Sequence, residues 1–348
     1  MKKVFVFGYP GEMGGANTEC WHTVKLWRNN GIEVHFVPTW GYEPIWKEKL
    51  DAIGCVTHLV TPESLESVPD LAGAITVGFC NEEYINNAAR LRNIGCKIVW
   101  VNCMTFLFEH EIKFFEESGH ADAMIYQSEF QRNEIEPRLR SLGYDPASGH
   151  LIRGAFEHRD WLYHPLPHKQ CEAFVIGRAA RPDLDKWSSN TWKIYENVQY
   201  ANKKGLMLGT SNQALEKMGC PPDWISCLRP MAMKAELFYS LLHCMLPVNG
   251  GARENWSRAG LEAFATGVPV VAQDAWGWRE MIDHGETGFL GKCDEELSHY
   301  TAMLAYDETL RMRIIENAYK KLIEVHANSD LIWKGWNEVF QSLCAEHD

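Results

Sequence analysis

Apolar and polar positions follow two alternating patterns along the chain. Short apolar runs at 4–7, 34–37, 74–77, 98–101 and 124–126 are each followed by a longer segment of mixed polarity. Runs of this length read as strands buried on both faces, and strands alternating with helix-length segments make parallel α/β sheets. The alternation pauses at EHRDWLYHPLPHKQ, residues 157–170, where proline, histidine and charge replace any periodicity, so an interdomain linker is expected there. A second series comes next, with apolar runs at 173–176, 206–208, 224–227, 244–247 and 268–272, and from 295 to 346 the pattern is helical throughout. The expectation is two Rossmann-like α/β domains, 1–165 and 166–328, with a C-terminal helix at 329–348 packing back on the first. No repeat of about 20 to 50 residues recurs, which disfavours a solenoid.

Composition narrows this picture. With 348 residues, 46% of them hydrophobic and 23% charged, the chain buries substantial cores and has no disordered character. No apolar run approaches the roughly 18 residues of a membrane-spanning helix. The N-terminal apolar stretch is confined to 4–7 and runs into glycines, so it reads as a first strand and not a secretory signal. The 11 cysteines are scattered, odd in number and without a Cys-x-x-Cys pair, as small core residues in a reducing cytosol would be, and a cytoplasmic location is expected. The 14 histidines do not join them at zinc-ligand spacing. Net charge is −12, with an acidic excess on both sides of residue 166, so a polyanionic partner would have to meet a local basic patch.

Three segments carry candidate chemistry. GYPGEMGGANTE follows the first strand and sets Gly14 and Gly15 where backbone amides open a helix, a placement suited to a phosphate or a sugar hydroxyl. A tight turn without ligand has the same sequence, and neither the dinucleotide fingerprint nor the P-loop pattern is present. FVIGRAARPDLDK places Arg178 just after a strand and Lys186 eight residues on, at the edge where α/β sheets bind ligands. Two cations there would neutralise a diphosphate, and two solvated surface cations are the alternative. Asp183 and Asp185 form an Asp-x-Asp pattern crowded by Arg181 and Lys186, and no metal is assigned to it. In the segment 250–290, Glu254 and Glu262 are eight residues apart, which on one helix sets both on the same side. A solvated helix face shows that spacing too. The residues beyond Glu262 are more specific: a Gly-x-Pro strand entry, a buried strand, a glycine loop ending in Glu280, and a Gly-Glu-Thr-Gly turn.

With these residues in place, the segment resembles the donor site of retaining GT-B glycosyltransferases, in particular glycosyltransferase family 4 (group 1). The GGANTE loop, ADAMIYQSEFQRNEI and LIRGAFEHRDWLYHP are similar to further family segments, so the resemblance spans nearly the whole chain. It implies GT-B architecture, two Rossmann-like domains facing each other across a cleft, and a hexosyltransferase-type activity (EC 2.4) that retains anomeric configuration. By the same resemblance Glu254 contacts the donor sugar, Glu262 the nucleotide ribose, and Arg178 and Lys186 the diphosphate. Arg178, Lys186 and Glu254 are then the catalytic set, and Gly14, Gly15, Asn255, Trp256, Ser257 and Glu262 the donor-binding set. Where the family places a histidine after the fourth strand, this chain has Asn102 and Cys103, with His110 the nearest histidine, so Asn17, Asn102 and His110 are the acceptor-side candidates. The Arg-to-Lys spacing is a little longer than the family's. Neither metal nor cofactor is implied beyond the nucleotide-sugar donor.

The expected acceptor is a glycan, lipid-linked or small-molecule hydroxyl. The alternative is a hydroxymethylated pyrimidine in DNA, for which Arg132, Arg138, Arg140 and Arg153 would supply a cationic strip. A sugar-nucleotide epimerase of the same architecture, disfavoured by the Glu-x7-Glu pair, and a non-catalytic binding module, disfavoured by the retained Arg178, Lys186 and Glu254, complete the field.

Overall fold

Successive residues of the first strand go to opposite cores. In β1 (Lys3–Phe7), Val4 and Val6 join one apolar cluster with Val24, Trp27 and Phe340, whereas Phe5 and Phe7 join another with Tyr84 and Trp100. Side chains alternate across a strand, so two cores mean a sheet covered on both faces. The computed structural model describes residues 3–345 apart from positions 9, 12, 13, 40, 42 and 118.

The chain divides into two compact units, one taking the sequence up to Phe156 and again from Ser329, the other Glu157–Asn328. The first holds a seven-stranded parallel sheet in the order β3-β2-β1-β4-β5-β6-β7. Its further strands are β2 (Glu33–Val37), β3 (Val56–Thr57), β4 (Ile75–Phe79), β5 (Lys97–Val101), β6 (Ala123–Tyr126) and β7 (Gly149–Leu151). The helix Ser329–Ala345 closes this unit by adding Ile332, Trp336, Val339 and Phe340 to the core around Trp27, with the Trp27 and Trp336 rings edge-to-face at 4.7 Å.

The second unit has a four-stranded parallel sheet, β10-β9-β8-β11, built from β8 (Phe174–Ala179), β9 (Lys203–Leu208), β10 (Ile225–Leu228) and β11 (Cys244–Met245). A parallel pair, β12 (Val271–Gln273) and β13 (Phe289–Gly291), adjoins it through a bridge between Met245 and Val270. Both units are thus Rossmann-like.

Three strands lie outside the apolar runs. β3 is two residues long with Val56 exposed, β7 contains Gly149 and His150, and β13 follows the Gly-Glu-Thr-Gly turn. Residues 157–170 are not a free linker. Trp161 packs on Tyr239, the Tyr163 ring lies tilted against Tyr319 at 4.0 Å, and buried His168 bonds the Tyr200 hydroxyl, all inside the second unit. The division therefore falls after Phe156 and not after residue 165. Proline fixes an extended backbone here without loosening it, and Pro165 lies 2.7 Å from where a Cβ on Gly267 would stand.

Candidate functional site

β8 runs past its apolar stretch and carries Arg178 into the second unit's interior, where 1% of the residue is exposed. Its guanidinium lies over the Trp187 ring at 4.8 Å, donates through Nη1 to the Val248 carbonyl oxygen, and donates through Nη2 to Asn249 Oδ1 at 2.6 Å. Burial pushes Arg178 down to about 10, which still leaves it protonated at neutral pH. The resemblance directs this guanidinium at a diphosphate. In this structure it is buried, with Nη1 and Nη2 bonded to the loop that follows β11 and Nε without a hydrogen-bond partner among the described residues.

That loop meets the turn carrying Lys186. The amides of Gly250 and Ala252 both donate to the Asp185 carbonyl oxygen at 2.9 Å. A Cβ at Gly250 would come within 2.0 Å of the Trp187 carbonyl oxygen, so only glycine permits this approach. The latch sets Lys186 Nζ 2.8 Å from Glu254 Oε1, with side chains 19% and 16% exposed. The same carboxylate oxygen accepts from Asn249 Nδ2 at 3.1 Å. Burial pulls the Glu254 carboxyl upward, but the charge and hydrogen bond of Lys186, the Asn249 amide and the charge of Arg178 outweigh it and hold the group below its ordinary value.

Glu254 is not on the helix that holds Glu262. The helix is Arg258–Thr266, capped by Ser257, whose hydroxyl accepts from the Gly260 amide at 3.2 Å. Residues 249–257 form a loop, because the backbone donors at 250 and 252 go to Asp185 and not to a helical turn. The two glutamates accordingly differ in environment. Burial, opposed by Arg258 and Tyr239 and reinforced by Glu236, pushes Glu262 up to about 7. Two carboxyls whose environments separate them in this way are fitted for different tasks.

The intervening residues turn inward. Asn255, Trp256 and Ser257 are 6%, 5% and 5% exposed, and Trp256 packs edge-to-face on His326. Their side chains are buried within the second unit. Asp183 pairs with Arg181 at 3.3 Å, and among the described residues no group of three His, Cys, Asp or Glu side chains is arranged to hold a metal ion.

In the first unit Gly14 caps the helix Gly15–Asn29 with φ 98°, and the glycines stand at the helix opening. Asn17, on its first turn, is exposed. Asn102 is fully buried. Its amide donates to Glu111 Oε1 at 2.8 Å and its Oδ1 accepts from the Met104 amide, so it fixes the turn after β5 and offers nothing to solvent. His110 stacks on Phe108 at 5.3 Å, with Nδ1 3.9 Å from a Glu82 carboxylate oxygen. Three of the four arginines of the cationic strip face carboxylates: Arg132 and Arg140 both pair with Glu136, and Arg138 lies 4.0 Å from Glu116. The fourth, Arg153, donates to the Gln127 carbonyl oxygen. Among the described residues no helix is long and apolar enough to cross a membrane.

Residues 234–321, which include Glu254 and Glu262, match the glycosyl transferases group 1 family. A 96-residue segment is 32% identical to glycosyltransferase 1 domain-containing protein 1 of Xenopus tropicalis, covering 28% of this chain and 26% of that protein. A 129-residue segment is 34% identical to an exopolysaccharide phosphotransferase of Streptomyces coelicolor, covering 36% of this chain and 13% of that protein. These alignments thus span about a quarter or less of the relatives' own length. Over nearly the whole chain the structure is similar to Anabaena HepE in complex with UDP-glucose (TM-score 0.74, 15% identity, 99% of this chain and 100% of that one). It is also similar to S. aureus TarM in complex with UDP (0.77, 11%, 98% and 100%) and to a sucrose-phosphate synthase from Thermosynechococcus elongatus (0.72, 14%, 99% and 100%). The fold is the GT-B fold. Within it, the match to the group 1 glycosyl transferases covers residues 234–321.

Sequence reasoning missed Asn249 and Gly277. Asn249 stands between Arg178 and Glu254, and its one local signal is the Gly250-Gly251 pair beside it. Gly277 follows Trp276, a non-glycine residue with φ 58°, and its amide donates to the Glu254 carbonyl oxygen.

Proposed function

We propose that the protein is a glycosyltransferase that moves a sugar from a nucleoside-diphosphate donor to an acceptor hydroxyl with retention of configuration, in the manner of glycosyltransferase family 4. The observation that carries this reading is the Lys186–Glu254 pair at the carboxyl edge of the second unit's sheet, whose glutamate lies in the group 1 domain. Negative charge builds on the diphosphate as the glycosyl bond breaks, and Lys186, a partly exposed cation on a flexible stem, is placed to neutralise it. Glu254, kept ionised, accepts hydrogen bonds from donor-sugar hydroxyls, while Glu262 takes the ribose diol. The leaving diphosphate assists removal of the acceptor proton on the same face, so positioning and charge stabilisation supply most of the rate. A uridine diphosphate donor is supported by the UDP-glucose and UDP bound to HepE and TarM. The acceptor is a hydroxyl of a glycan, a lipid-linked sugar or a small molecule, in keeping with a net charge of −12 and with the paired arginines of the first unit. No metal is assigned a role.

The experiment is incubation with a panel of sugar nucleotides, with and without glycan acceptors, measuring donor hydrolysis and transfer. Turnover of a uridine diphosphate sugar that falls at least about a hundredfold in Lys186→Ala supports the reading. Absence of turnover with every donor would overturn it.

A further inference from the structure

We infer that Asn249 is a positioning residue: its amide, oriented by the buried Arg178, holds Glu254 Oε1 in the place from which that carboxylate meets the donor. The inference rests on the glycosyltransferase reading above and adds to it a residue that neither the sequence nor the family resemblance assigned.

The orientation of the amide comes from chemistry. A guanidinium has donors only, so the Asn249 atom 2.6 Å from Arg178 Nη2 is its oxygen, and the NH2 group must face the other way. There it finds Glu254 Oε1 at 3.1 Å, an acceptor. Arg178 cannot drift, because Trp187 lies against its face and Val248 takes its second nitrogen. Asn249 is itself 7% exposed, and its backbone amide is directed at Gln273 Oε1 at 3.4 Å.

Two groups therefore hold Glu254 Oε1, and they are not equivalent. Lys186 reaches it on a flexible chain from a 3-10 turn, and a bound diphosphate competes for the same ammonium. Asn249 is held from beneath by a guanidinium that is itself buried. When Lys186 turns to the diphosphate, Asn249 keeps the carboxylate in place. The charged and polar groups facing Glu254 in the resting protein are Lys186, Asn249 and Arg178.

Asn249→Asp separates this role from a structural one. It preserves the oxygen that Arg178 needs and replaces the amide hydrogens facing Glu254 with a second carboxylate. Donor turnover is measured against pH in the wild type and in N249D, with Glu254→Gln identifying the acid limb that belongs to Glu254. The Glu254 carboxyl is also titrated by carbon-13 NMR. In N249D the acid limb and the NMR titration are both expected to move up by at least about one pH unit. Turnover at pH 7 should fall at least about tenfold, with the donor KM within about threefold of the wild type. Asn249→Leu, which removes both bonds, should lower turnover similarly, and if it does not fold N249D decides alone. A folded N249D whose Glu254 titration and acid limb are unmoved overturns the inference. A wild type that turns over no sugar nucleotide overturns the functional reading instead, and the NMR titration still decides whether Asn249 governs Glu254.

Discussion

The backbone amide of Gly277 donates to the carbonyl oxygen of Glu254 at 2.9 Å, and a methyl group on Gly277 would stand 1.5 Å from the carbonyl oxygen of Asn255. The φ of Gly277 is −62°, which any residue adopts, so the constraint is space and not conformation. Gly277→Ala is expected to push the 254–255 loop away, costing about 1–3 kcal/mol of stability, as overpacking of a tight contact does. Donor turnover should fall with it. Thermal melts and donor kinetics check this, and an alanine variant as stable and as active as the parent would show that the Gly277 contact has no effect on the site.

With Glu262 taking the ribose diol, as proposed, donor binding is expected to depend on pH. Its carboxyl is pushed up to about 7 by burial, and the ionised form, with two charged acceptor oxygens, is the stronger partner for a ribose diol. Affinity for a nucleoside diphosphate should therefore weaken as pH falls from 8 through 7 to 6, and calorimetric titration at those values reads it. Stability runs the opposite way. The folded state holds a proton that the unfolded chain has released between about 4.5 and 7, so this group's contribution is lost as pH rises across that window. Glu262→Gln should accordingly stabilise the protein more at pH 8 than at pH 5. Equal shifts at both values would show that the carboxyl is not perturbed.

Arg178 and Lys186 should separate on substitution. Removing the enclosed guanidinium leaves a void beside Trp187 and an unpaired Val248 carbonyl, so Arg178→Ala is expected to lower the melting temperature markedly as well as turnover. Lys186→Ala, at a partly exposed pair, should lose turnover with a small change in melting temperature. Matched stability losses in the two variants would argue against this division of roles.

The arginine strip of the first unit should not bind nucleic acid. Glu136 pairs with both Arg132 and Arg140, and Glu116 lies near Arg138. No affinity for duplex DNA is expected at physiological salt, measured by fluorescence anisotropy. Binding that weakens steeply with salt, together with sugar transfer to hydroxymethylated DNA, would overturn the choice of acceptor.

The strands were legible because runs such as Val4–Phe7 lie within doubly covered strands, where apolar residues are continuous and need no partner to be recognised. Gly14 and Gly15 were placed at a helix opening for a similarly local reason. The relation between Glu254 and Glu262 was misread because their spacing is helical, while the Gly250 and Ala252 amides on Asp185 hold the residues before Ser257 as a loop and the helix starts only at Arg258. Asn249 was invisible because its orienting partner lies 71 residues earlier in the chain. The segment 157–170 looked like a linker because its prolines and histidines have no period, yet its aromatic rings pack one by one on residues far along the sequence.

The helix Ser329–Ala345 makes the first unit discontinuous in sequence. In genetic terms the stretch Glu157–Asn328 is encoded between the two parts of the first unit, with both of its joins inside the chain. A fragment cut once at Phe156 would lack Trp336 and Phe340 and leave the Trp27 face of its core open to water. Exchange of the Glu157–Asn328 unit between related chains therefore requires two crossovers, one at each join. A single-crossover chimera would have to rebuild the interface between Trp27 and a foreign terminal helix before it could fold.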